Sequence, residues 1–74
     1  MKLPVMSGID VVKTFSKAGW IVVRERGSHI IMEKEGVDML LTIPKKNEVK
    51  RGTLRSLIAD AGMTVDEFVR LSKK

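Results

Sequence analysis

The sequence contains no cysteine and no tyrosine, and it has a single histidine and a single tryptophan. Without cysteine, neither a disulfide framework nor a thiolate metal site can hold the fold together, which fits a reducing cytoplasm. Long apolar runs are missing too. Stretches such as residues 20–23 and 39–41 fall far short of the roughly 18 residues that span a bilayer, and no apolar stretch of signal-peptide type opens the chain. A soluble, cytoplasmic protein with no membrane partner is expected. The 74 residues make one domain, 1–74, because chains divide into separate cores only beyond roughly 250 residues. So small a core implies modest stability, to which a bound partner would add.

What the chain does have is positive charge. Lys and Arg number 14 against 9 Asp and Glu, a net charge of +5 with an isoelectric point near 9.9. That balance favours polyanions, nucleic acid first, although basicity that serves only solubility is the plainer account. Position along the chain is more informative than the total.

Ser7 followed by Asp10 is a capping-box-like start, and Ile9, Val12 and Phe15 recur at near-helical spacing until Gly19 offers a left-handed stop. A helix over residues 8–18 is predicted. From Trp20 the texture turns β-branched, with strands expected at residues 21–23, 30–32 and 37–43, the last apolar at every odd position. The short glycine-bearing breaks at Arg26-Gly27-Ser28 and Glu35-Gly36 can join only antiparallel neighbours. Pro44 ends the third strand, because it has no amide to donate to a ladder, and residues 45–51 follow as a loop. A helix beginning near Thr53 carries Leu54, Leu57, Ile58 and Ala61 on one face and closes at Gly62. Thr64 and Glu67 then form a capping box ahead of Phe68 and Leu71.

The order is therefore α-β-β-β-α with a short final helix, an α+β class in which helices cover one face of a three-stranded antiparallel sheet. If the covered face carries Val37, Met39, Leu41 and Ile43, then Leu40 looks outward, as does one of Ile30 and Ile31. An apolar strip on the uncovered face is the expected result, either a partner surface or ordinary scattered exposure.

His29 nearly exhausts the side chains that move protons near neutral pH, since an imidazole ordinarily titrates at about 6.5. It is the first candidate for a catalytic group, against the plain alternative of a packed or surface residue in a strand. Gly27 and Ser28 stand just before it at a hairpin, where backbone can approach a ligand and a side chain stays reachable. Ser28 either orients the ring or holds a phosphate oxygen, or is simply turn chemistry. A second constellation, Lys45, Lys46, Lys50, Arg51 and Arg55, is interrupted by one acid, Glu48, and runs into a helix start. Amides at a helix N-terminus favour anions, and Gly52 opens the backbone, so phosphate is the natural ligand; a solvated charged loop is the alternative.

Taken together, Ser7-Gly8, Lys17-Ala18-Gly19-Trp20, Gly27-Ser28-His29, Ile43-Pro44 and the segment Lys50-Arg51-Gly52-Thr53-Leu54-Arg55-Ser56-Leu57 resemble the HicA family of toxin–antitoxin modules. The ending Asp60-Ala61-Gly62-Met63-Thr64 with Glu67-Phe68 resembles it too, so the likeness runs through nearly the whole chain in order. The resemblance implies a double-stranded-RNA-binding-domain-like fold, an mRNA-cutting endoribonuclease whose catalytic histidine is the one in Gly-Ser-His, here His29, and a HicB-like antitoxin partner. One departure is visible: many relatives carry a second histidine shortly after the proline that matches Pro44, where this chain reads Pro44-Lys45-Lys46-Asn47.

The chain offers no obvious nucleophile and no clustered carboxylates or histidines to hold a metal, so the expected chemistry uses the RNA's own 2′-hydroxyl, with no metal and no small-molecule cofactor. His29 serves as general acid or base, and Lys46 is the cation expected closest to the phosphate. Two other classes compete. A non-catalytic double-stranded-RNA-binding module would read duplex shape through the same basic residues and leave RNA uncut. A pure interaction protein would show no salt-sensitive RNA affinity.

Overall fold

The computed structural model describes residues 2–73. Its elements run α1 (Gly8–Lys17), β1 (Ile21–Arg26), β2 (His29–Glu33), β3 (Leu41–Pro44), α2 (Arg51–Asp60) and α3 (Val65–Ser72), and the strands form an antiparallel sheet in the order β1-β2-β3. The α+β order expected from the sequence is the observed one.

Both predicted helix caps are present. The Ser7 hydroxyl accepts from the Asp10 amide at 3.1 Å, and Thr64 and Glu67 exchange side-chain-to-backbone bonds at 2.8 and 3.1 Å. Each satisfies amides that a helix start leaves without partners. The face that α1 buries differs from the expected one. Gly8, Val11, Thr14 and Phe15 are buried, while Ile9 stays 43% exposed and Val12 half-buried. The cause is Gly8: a side chain there would collide with the Pro44 carbonyl oxygen, so the helix backbone lies directly against the end of β3 and its rotation is set by that contact.

The core lies between the helices and one sheet face. Phe15 stacks edge-on with Trp20 at 6.4 Å and tilted against Phe68 at 5.0 Å, joining α1 to α3. Ile30, Met32, Leu41 and Ile43 supply the sheet side, and Leu54, Leu57 and Ile58 bring in α2. Alternation then sends His29, Ile31 and Glu33 to the uncovered face.

The third strand is shorter than predicted. It begins at Leu41, so residues 37–40 lie outside the sheet; Met39, expected on the covered face, is 49% exposed, and Leu40 is exposed as expected. A tight reversal at Glu35-Gly36 would set Leu41 opposite Ile30 and Ile43 opposite Ser28. The observed register sets Leu41 opposite Met32 and Ile43 opposite Ile30. A slip of two residues keeps every side chain on its face. It also matches all four apolar residues in two buried cross-strand pairs, which rewards the longer connection.

Candidate functional site

Gly27 and Ser28 form the two-residue turn between β1 and β2. Gly27 has φ +55° and no non-glycine residue among those described has positive φ, so the glycine occupies the first central position, the pattern of a type II′ turn. The flanking residues, Arg26 and His29, are consequently direct cross-strand partners. His29 is exposed, and its ring makes no hydrogen bond among the described residues.

The basic loop is held against this hairpin by backbone bonds. The Lys45 amide donates to the Ser28 carbonyl at 2.6 Å, and Pro44 is paired opposite His29. Farther along, the Gly8 amide donates to the Lys46 carbonyl at 2.8 Å, and the Val49 amide to the Met6 carbonyl at 2.8 Å. Val49 is itself buried, an apolar anchor inside a charged segment. The loop is therefore pinned at three points rather than freely solvated.

Of the residues singled out from the sequence, Ser28, His29, Lys45 and Lys46 are gathered at this end of the sheet. Lys50, Arg51 and Arg55 lie together at the start of α2, which begins two residues earlier than predicted, so that Arg51 stands in its first turn instead of the loop. Lys50 is the N-cap residue and no side chain caps the helix. Space beside Gly52 is open. Uncapped first-turn amides flanked by cations form an anion-favouring surface.

The tertiary structure also introduces groups that the linear reading overlooked. Lys45 Nζ is ion-paired to Glu25 at 3.3 Å, so the acid that tempers this cation comes from β1 and not only from the neighbouring Glu48. Arg24 and Arg26 join His29 on the uncovered face, where Arg24 is paired opposite Ile31. The Arg26 position was legible in principle, since a two-residue turn at Gly27-Ser28 makes its flanks face each other. The Arg24 position follows from the same turn, since two regular ladder steps on it lies opposite Ile31; the bulge comes after it, where Val22 pairs with Met32 and Val23 is left as an extra residue.

Two surface grooves, of about 520 and 710 Å³, are lined by α1, α3 and the segments beside them and contain none of these residues. The candidate site is an open face bordered by cations, a shape suited to a polymer rather than to a small molecule. Among the described residues, no group of three or more His, Asp or Glu side chains is arranged to hold a metal ion, and no helix is long and apolar enough to cross a membrane.

A family model described as the HicA toxin of bacterial toxin–antitoxin systems matches residues 8–63. The fold is similar to that of a chain in a solved toxin–antitoxin complex from Streptococcus pneumoniae, with a TM-score of 0.70 and 37% sequence identity over 78% of this chain and 98% of that one. Comparison with curated proteins gives no significant match.

Proposed function

The chain belongs to the HicA toxin family of bacterial toxin–antitoxin systems, and from that premise we propose that it is an endoribonuclease that cuts mRNA with His29 as its acid–base group. The observation that carries the reading is the exposure of His29 on an open sheet face, one strand pair from the loop that the Ser28–Lys45 backbone bond holds beside it. A proton-moving group and a cationic rim are thereby fixed in one frame.

In the proposed reaction the ribose 2′-oxygen attacks the adjacent phosphorus, the bond from phosphorus to the 5′-oxygen breaks, and a 2′,3′-cyclic phosphate remains. His29 takes the proton of the 2′-hydroxyl as base, or supplies one to the departing 5′-oxygen as acid, and water serves the other proton transfer. A positioned group of this kind contributes about 10²- to 10⁴-fold. Ser28 at the turn contacts the same phosphate or orients the ring, and Lys46 offsets charge building on the phosphate. Lys45, Lys50, Arg51 and Arg55 hold neighbouring phosphates, with the first-turn amides of α2 assisting. No step calls for a metal or a cofactor. A HicB-like antitoxin is the proposed protein partner, and covering the face around His29 would silence the toxin.

The test compares wild type with His29→Ala on labelled RNA in the presence of a chelator, beside an RNA carrying 2′-deoxy sugar at the cut site. Wild type is expected to cleave the all-ribo strand and spare the deoxy one. His29→Ala is expected to lose about 10²- to 10⁴-fold in rate while keeping its melting temperature and its affinity. RNA retarded but never cut would assign a non-catalytic RNA-binding module. Loss of wild-type cleavage on chelation would refute the metal-free mechanism.

A further inference from the structure

The Gly27-Ser28 turn decides which charge of β1 stands beside His29, and a bulge in β1 reconciles that pairing with the rest of the strand. In a regular ladder continued from the Val22–Met32 pair, Arg24 would lie opposite Ile30, and Glu25 would lie opposite His29. The two-residue turn at Gly27-Ser28 imposes the other register and the extra residue at Val23 absorbs the difference, so the observed partners are Arg24 with Ile31, Glu25 with Ile30 and Arg26 with His29. Because side chains alternate between faces, the bulge exchanges the two sides of the strand's end. An arginine takes the place of a carboxylate next to the imidazole. Glu25 moves to the other side, where it meets Lys45 at 3.3 Å.

We propose that Arg26 is a second catalytic residue, whose guanidinium binds the phosphate being cleaved and carries the charge that develops on its non-bridging oxygens. The inference rests on the nuclease reading above and adds to it, beside Lys46, a second cation that stabilises the transition state. Directly opposed residues in an antiparallel pair have Cβ atoms about 4.5–5.5 Å apart, so one phosphate group can touch both side chains. Arg26 and His29 are both exposed on the uncovered face. Arg26 has no ion-pair partner among the described residues, whereas the ammonium of Lys45 is already engaged by Glu25. A guanidinium also presents two parallel donors to two phosphate oxygens and stays charged at any working pH, which an ammonium on a loop matches less well.

The experiment measures kcat and KM on a labelled RNA for Arg26→Gln, Arg26→Lys, Arg24→Gln and His29→Ala, with affinity taken separately on the 2′-deoxy strand that cannot be cut. Arg26→Gln is expected to lower kcat by about 10²- to 10³-fold, the usual loss when one transition-state donor is removed, with affinity for the uncleavable strand falling less than about tenfold. Arg26→Lys should recover part of the rate, and free guanidinium should restore part of it to Arg26→Gln. Arg24→Gln, a loss of equal charge on the same face, should cost far less in kcat. If Arg26→Gln keeps the wild-type kcat, or if Arg24→Gln loses as much, the inference falls. An inactive His29→Ala beside a fully active Arg26→Gln would sink this proposal and leave the nuclease reading standing; an active His29→Ala would sink the nuclease reading itself. Should Arg26→Gln melt at lower temperature, rescue by guanidinium still separates a chemical role from a structural one.

Discussion

Gly8 and Lys46 are joined across the molecule: the amide of the first helical residue donates to the carbonyl of the loop residue at 2.8 Å, with the Pro44 carbonyl oxygen standing where a Gly8 side chain would be. This contact couples the rotation of α1 to the placement of the basic loop. A methyl group has no room there, because what it meets is backbone rather than the end of a flexible side chain.

Gly8→Ala is accordingly expected to destabilise the fold by about 1–3 kcal/mol, the usual range for overpacking. For a domain of this size each kcal/mol lowers Tm by roughly 4–8 °C, so thermal unfolding followed by circular dichroism reads the effect directly. RNA cleavage should fall as well, since Lys46 moves with the displaced backbone. A Tm unchanged within experimental error would show that the contact is not tight.

Replacing Lys50, Arg51 and Arg55 together by alanine should weaken RNA binding about equally for every sequence tested. Each phosphate contact contributes roughly 0.7–0.9 to the slope of log K against log salt, so the slope should fall by roughly 2. Anisotropy titrations of an uncleavable RNA at several salt concentrations measure it. If the slope does not move, these residues form a solvated face and not a phosphate grip.

Glu25→Gln releases Lys45 from its ion pair. Both side chains are about half exposed, at 52% and 46%, and such pairs contribute only about 0–1 kcal/mol. Stability should therefore hardly change, while affinity for RNA rises by a few-fold and less than about tenfold. Weaker binding by this variant would mean that Glu25 positions Lys45 rather than tempering it.

The reading of β3 from the sequence illustrates where pattern stops being informative. Odd-numbered apolar residues from Val37 to Ile43 correctly assign Leu41 and Ile43 to the covered face, but alternation has a period of two and is blind to a slip of two. The register was chosen by pairing Ile43 with Ile30 and Leu41 with Met32, a gain that involves residues distant in the chain. The same slip carries Pro44 to His29 and so brings the basic loop to the site.

Helix α1 shows a second limit. Ile9, Val12 and Phe15 and the set Gly8, Val11 and Phe15 are both helical stripes, and hydrophobicity favours the first. Close backbone approach at Gly8 selected the second. Glycine scores as weakly apolar in any pattern, yet its lack of a side chain is what allows the approach.

By itself the sequence determined the order of elements, both helix caps, the turn at Gly27-Ser28 and the identity of the one imidazole, because each depends on residues within a few positions of one another. The arginine opposite that imidazole follows from the turn, but the approach of the lysine loop was decided only by the tertiary structure. A two-residue shift of β3 settles it, and that is a choice of pairing between strands. Its free energy comes from core contacts that no local window contains.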